Sequence, residues 1–249
     1  MDKNLTMTKV LIFVLLMASF SLAQMKSKVG WMSKFGGGGG VNLTWMFPNY
    51  DEINKQLPAL GINEKLSGGL LTWGGGGYFY LMIIDDLRIG GMGFGGSQSV
   101  STSTGGFNRE VIYSLDGGAF TIEYTLPFIK RIGVSLGGSI GGGSLTVKQY
   151  QNANSNYSWQ GTWDEFDTPS NGRNISNIIE NNYITLTPTI NVDIPFTRFF
   201  AIRIGSGYQF TTSGSWTINN DQNLSDVPSS LSGNAFFIQT GIYLGFFAY

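Results

Sequence analysis

Two residues of opposite charge define what chemistry this chain could carry. Glu123 shares one face of an alternating stretch with Thr121 and Thr125, opposite Phe120, Ile122, Tyr124 and Leu126. Arg203 lies with Ala201, Gly205, Gly207 and Gln209, opposite Phe200, Ile202, Ile204, Tyr208 and Phe210. Asp193 falls on a third polar face with Tyr183, Thr185, Thr187, Thr189 and Asn191. Glu123 and Arg203 sit four and five residues from short turns at Pro127 and Arg198, which places them at similar depth. A buried charge without a partner is costly, so Glu123 and Arg203 are expected to pair, with Asp193, Arg88 or Arg131 nearby. A proton or ion path through the same carboxylate is the functional alternative. The rest of the chemistry is limited by what the chain lacks. It has no His and no Cys, which removes the Ser-His-Asp triad, the thiol nucleophile and the His-ligated metal. No catalytic residue, metal site or cofactor is assigned, and no enzymatic activity is expected. Asp164, Glu165 and Asp167 offer oxygen ligands to a hard cation such as calcium but lack a loop signature, so they read as a solvated loop. The glycines 36 to 40 are followed by no helix and no Lys-Ser/Thr pair, so they do not read as a phosphate cradle.

The elements that position these residues are strands, because the apolar positions recur every second residue. The pattern is clearest in Tyr183 to Ile194, where Ile184, Leu186, Ile190, Val192 and Ile194 oppose the polar face that carries Asp193. Three strand pairs with short internal turns are expected. Gly68 to Ile84 turns at Asp85-Asp86 into Leu87 to Ser103, Val111 to Leu126 turns into Arg131 to Lys148, and Tyr183 to Ile194 turns into Phe199 to Trp216. A first strand over Lys34 to Phe47 and a last one over Asn234 to Tyr249 bring the count to eight. In the strand after Arg131 the alternation slips at Gly141-Gly142-Gly143, and Leu145 and Val147 are expected to face outward past a glycine bulge. Asp116-Gly117-Gly118 and Gly90-Gly91 are candidates for the same device. Asn49 to Ser67 reads as a polar loop with a short helix that starts near Asn49 to Glu52 and ends by Pro58 and Gly61. The connections Gln149 to Asn182 and Thr217 to Gly233 are long and rich in Asn and Ser.

Composition sets the surroundings. Charged residues are 12%, aromatics 14%, and Gly is 36 of 249. Soluble globular proteins carry roughly 25% charge. A net charge of −1 gives no footprint for a nucleic-acid partner. Residues 1–23 read as a secretory signal: Lys3 and Lys9 precede an apolar run from Val10 to Phe20, and Ser21-Leu22-Ala23 forms a small-x-small cleavage site. The run is shorter than the roughly 20 residues a spanning helix needs. Residues 24–249 then form one domain, and if that domain is in a membrane it must cross as a closed barrel.

The last stretch adds a resemblance. Tyr249 closes the chain above a polar-x-Gly-x-x-apolar-x-apolar run formed by Gln239, Gly241, Leu244 and Phe246, which ends short of the terminus. It resembles the C-terminal assembly signal of bacterial outer-membrane β-barrels, and the whole mature chain is similar to the eight-stranded type of the OmpA membrane domain and OmpX. The resemblance implies an all-β, closed, antiparallel up-and-down transmembrane β-barrel with one short helix in the first external loop, located in the cell outer membrane. It also implies outer-membrane lipid and the barrel-assembly machinery as partners, a lumen filled by side chains, and a structural or surface-interaction role. Tyr157, Trp159, Trp163 and Phe166, in the loop 149–182, are candidate contacts for an extracellular ligand or protein. An aromatic belt at the membrane surface is the other reading of Tyr157 and Trp159. Two further alternatives remain: a small-solute channel of the outer membrane, and a soluble lipocalin-like barrel with apolar residues inward.

Overall fold

The alternating stretches form nine β-strands in the computed structural model, which describes residues 35–81, 83–129, 132–153, 158–159, 163 and 174–248. In chain order they are β1 (Phe35–Pro48), β2 (Leu70–Tyr80), β3 (Leu87–Thr104), β4 (Phe107–Thr125), β5 (Gly133–Ala153), β6 (Ile175–Pro195), β7 (Phe200–Ile218), β8 (Gln222–Leu224) and β9 (Ala235–Ala248). Each pairs antiparallel with its neighbours, β1 pairs with both β2 and β9, and β7 pairs with both β6 and β9. β1 to β7 and β9 therefore close into an eight-stranded barrel, while β8 folds back on the end of β7. Closure pairs each of the eight strands on both sides over the part of the wall shared by all of them, which is the condition for a sheet to stand in lipid. The glycine run lies at the closing seam, where a Cβ on Gly40 would collide with the Ile242 carbonyl.

One rim carries the short connections 81–86, 126–132 and 196–199 together with both ends of the wall. The other carries loop 49–69, the tight turn at Gly105-Gly106, the connection 154–174 and the segment 219–234. Gly105 and Gly106 have φ of 64° and 80°, the left-handed pair that a two-residue hairpin requires. β3 and β4 are thus a direct hairpin. Strands also continue where long loops are expected: β5 reaches Ala153, β6 starts at Ile175, and β8 falls inside 217–233.

The expected glycine bulges are absent. β5 keeps one unbroken register with β4 and β6 through Gly141, Gly142 and Gly143, and β3 with β4 through Gly90-Gly91 and Asp116-Gly117-Gly118. Leu145 and Val147 consequently face inward and are 1% and 4% exposed. The medium around the wall changes, and the pleat does not. Asp116, Ser144 and Asn182 are register partners in one outward row across β4, β5 and β6. On one side of that row the outer face is apolar: Ile184 is 64% exposed, Leu244 63% and Ile140 58%. Ile184 to Ile194 matches the ~9–11 residues of a tilted membrane strand. On the other side the outer face carries Ser97, Ser99, Ser114, Lys148 and Glu180, while Val100, Val111, Tyr113, Leu115, Leu145 and Val147 are buried inside. The projecting ends of β3 to β6 therefore have a largely polar outer face. The one register irregularity between β6 and β7 lies at Asn181/Tyr183, on the same boundary.

Loop 49–69 covers this upper core. Asn49 Oδ1 accepts the Asp51 N–H at 2.8 Å and starts helix α1 (Asp51–Gln56), which continues as one 3₁₀ turn over Leu57–Leu60. Gly61, at φ 73°, ends it. Ile53, Leu57, Ile62 and Leu66 are buried in the cluster with Met46, Val111 and Leu145. Asn54 holds the far side of the loop by hydrogen bonds to both backbone groups of Leu66. Arg109 reaches from β4 to the Leu60 carbonyl at 3.1 Å.

Candidate functional site

Four charged side chains meet in the lumen near the rim of short turns. Arg88 and Glu123 are direct partners across β3 and β4, and Asp193 and Arg203 are direct partners across β6 and β7. Barrel closure brings the two pairs together. Arg88 Nη2 lies 2.5 Å from Glu123 Oε2 and Arg88 Nη1 2.5 Å from Asp193 Oδ2. Arg203 Nη1 lies 3.2 Å from Glu123 Oε1, while its Nε and Nη2 reach the two oxygens of Asp193 at 2.7 and 3.1 Å. Charges alternate around a ring of no net charge, and every member is buried. Bidentate Arg–carboxylate geometry of this kind gives the strongest charge-assisted hydrogen bonds available to side chains.

The ring is held from several strands. Ser135 Oγ donates to Glu123 Oε2 at 3.3 Å and accepts from Arg88. Asn191 donates to Glu123 Oε1 at 3.0 Å, and Gln239 donates to Asn191 Oδ1 at 2.8 Å. Both guanidinium groups lie over the Tyr78 ring, at 4.5 and 4.6 Å from its centre, and Arg203 also lies over Tyr243 at 4.8 Å. Gly205 is required here, because a Cβ would fall on Oδ1 of the Asn191 side chain. The remaining cavity, of about 20 Å³ between Asn42, Thr121, Asn191 and Gln239, has room for a water molecule and little more.

The structure thus brings Glu123, Arg203 and Asp193 into one ring and adds Arg88 as an equal member, whereas Arg131 lies outside the described residues. The signal for Arg88 is in the chain: Arg88 and Glu123 stand equally far from Gly105-Gly106, so recognising that turn pairs them. Gln239 and Gly241 of the C-terminal run face the lumen, while Leu244 and Phe246 face outward. Trp159 and Trp163 stack edge-on at 5.7 Å and are 79% and 55% exposed. Tyr157, Phe166, Tyr249, the acidic trio Asp164, Glu165 and Asp167, and the N-terminal segment 1–23 lie outside the described residues.

An apolar outer band, closed backbone pairing and a filled polar lumen define a transmembrane β-barrel of the eight-stranded outer-membrane class. The lipocalin-like alternative is overturned by that outer face, which is apolar where a soluble barrel would be polar. The chain is similar to Ail, the attachment invasion locus protein of Yersinia pestis, in complex with the heparin analogue sucrose octasulfate: identity is 11%, the TM-score 0.40, and the match covers 86% of this chain and 99% of that one. A major outer membrane protein from Thermus thermophilus matches at 9% identity and TM-score 0.45, over 84% of this chain and 99% of that one. OprG from Pseudomonas aeruginosa matches at 11% and 0.39, over 88% and 95%. These are likenesses of fold alone. No family model matches the chain, and no curated protein sequence matches it.

Proposed function

We propose that this protein is a closed outer-membrane barrel that acts as a structural and surface-interaction element. In this reading residues 1–23 direct export, the C-terminal run engages the barrel-assembly machinery, outer-membrane lipid surrounds the apolar band, and the external loops meet partners. The observation that carries it is the charge ring. Four mutually paired side chains occupy the lumen, and a cluster of buried apolar side chains packed under α1 lies above them. An ion entering such a ring would have to displace a bidentate guanidinium, which argues against the channel alternative.

The outward contact is assigned to the loop 149–182 and its aromatic pair Trp159 and Trp163. The polar outward row at Ser144 and Lys148 separates this loop from the apolar band, which favours recognition over a membrane belt. Aromatic side chains supply contact area at low entropic cost. Single-channel recording in planar bilayers tests closure. The expected result is no discrete conductance from the wild-type protein, while steady ion-selective steps would replace this reading with the channel alternative. Binding of envelope-exposed partners is then compared between wild type and a Trp159→Ser, Trp163→Ser variant, and unchanged binding would move the contact to another loop.

A further inference from the structure

Above the boundary row one strand of the wall loses a neighbour. β3 leaves β2 at Gly95 and runs on to Thr104, and among the described residues its backbone then pairs with β4 alone. Gly95 is the register partner of Asp116, so this free edge starts where the wall leaves the lipid. The opposite flank of the projecting sheet is covered: β8 pairs with Trp216 to Ile218, and Asn234 Oδ1 accepts the Thr211 N–H at 2.7 Å.

The ladder decides which backbone groups stand open. At the foot of β3 the Leu81 N–H donates to the Leu87 carbonyl, and the Thr125 N–H donates to the Asp86 carbonyl. Odd-numbered residues therefore turn their backbone groups toward β2 and even-numbered ones toward β4, and this alternation holds because the register with β4 is unbroken up to Thr104 and Phe107. The turn at Gly105-Gly106 agrees, since the residues flanking a two-residue hairpin bond to each other. Above Gly95 the open groups are those of Ser97, Ser99, Ser101 and Ser103. Sheet edges are ordinarily blunted by charge, proline, a bulge or short length. Residues 96–104 contain no charged residue and no proline, and their pairing with β4 has no bulge. The four serine side chains are exposed on the outer face, so the row itself carries nothing bulky. On the inner face Val100 is 3% exposed and belongs to the cluster that includes Ile62 and Leu66.

A bare row of N–H and C=O groups matches one kind of partner, another extended backbone. We propose that the upper half of β3 binds an extended peptide segment of a partner protein by antiparallel strand addition, with one apolar residue of that segment opposite Val100. Directly opposed residues share a face. The apolar side chain thus lies beside Val100, and its two chain neighbours turn to water and are polar. The site is independent of Trp159 and Trp163 and rests on the proposed function only in placing this rim on the outer side of the membrane.

The probe is the acetylated and amidated peptide Thr-Ser-Thr-Val-Thr-Ser-Thr, titrated into the full-length mature protein in lipid nanodiscs, where it reaches the edge whichever way the barrel is oriented. Saturable binding is expected, with amide hydrogen exchange slowed at Ser99 and Ser101 and unchanged at Val100 and Thr102, whose N–H groups face β4. N-methylation of the two Thr residues that flank Val should abolish binding, because they pair with Ser99 and Ser101, whereas N-methylation of Val should not. Ser99→Pro and Ser101→Pro each remove one edge donor without touching the β4 ladder, as edge strands tolerate. Each should weaken binding about tenfold. Retained exchange protection at Val100 and Thr102 shows which proline variant has kept its fold, and either alone decides the matter. Ser101→Ala should bind like wild type, since the backbone and not the hydroxyl is read. Replacing Val by Ser in the probe should weaken binding about tenfold, and no change would overturn the anchor beside Val100. No saturable binding up to about 1 mM, equal effects of the two N-methylations, or wild-type binding by the folded proline variants would overturn strand addition. Self-association of the protein without peptide that the proline variants abolish would make a second copy the occupant and overturn the peptide assignment.

Discussion

At the scale of single residues, the lumen is governed by the cost of burying charge. Each ring member is acceptable because two opposite charges face it, so removing one leaves the others uncompensated. Glu123→Gln is expected to destabilise the folded barrel by about 3–5 kcal/mol in urea unfolding from vesicles, whereas a loss under about 1 kcal/mol would rank the ring with surface ion pairs. Replacing Glu123 and Arg88 together by Leu and Met should recover much of that loss, since the pair then leaves no orphaned charge. A second residue-scale prediction concerns Tyr50, which lies in the loop above the membrane band and packs edge-on against Tyr113 at 5.0 Å. Burial pushes its hydroxyl from an ordinary 10.0 up to about 12. The folded value is raised, so the stabilisation is complete below pH 10.0 and is lost as pH rises through about 12. Methyl signals of Ile53 and Leu57 should therefore leave their docked positions over that window in wild type, and at higher pH in Tyr50→Phe.

At the scale of elements, the upper half of β5 is the decisive case. A bulge at Gly141-Gly142-Gly143 and a reversal of surroundings produce the same string of letters, and they make opposite predictions. With the register unbroken, Leu145 packs inside, so Leu145→Asn places an unsatisfied amide in an apolar core and should destabilise by several kcal/mol, roughly 2–5. Ser144→Asn next to it faces water and should stay within about 0.5 kcal/mol. Equal effects would restore the bulge. The helical loop depends on the same core, because α1 presents Ile53 and Leu57 to the wall while its exposed side carries Lys55 and Gln56. A helix this short has no stability of its own and is held by that packing.

At the scale of the whole molecule, the row through Asp116, Ser144 and Asn182 marks where the barrel leaves the lipid. Because the chain has no cysteine, single cysteines report the boundary without background. Ser144→Cys should react readily with a water-soluble maleimide in intact vesicles. Ile140→Cys, two side chains lower on the same face, should react slowly or not at all. Equal reactivity would mean that the membrane does not follow the apolar band. The folded protein should also migrate faster than the boiled protein in detergent gels, because a wall with every strand paired resists detergent until heated.

Period-two alternation is local, so the strands, their lipid-facing sides in the lower half and the polar placement of Glu123, Asp193 and Arg203 were legible in the chain by itself. The eight-strand count followed from the same pattern with the turn residues. Arg88 was legible as a candidate neighbour of the pair, and its distance from Gly105-Gly106 matches it to Glu123 once those glycines are taken as a tight turn. Two things were not legible. The two cross-strand pairs became one ring only when β1 met β9 and curved the sheet, since adjacency across a lumen is a property of closure and not of spacing. The inward turn of Leu145 and Val147 depended on where the membrane ends, because alternation records that two faces differ but not which face meets lipid, water or core.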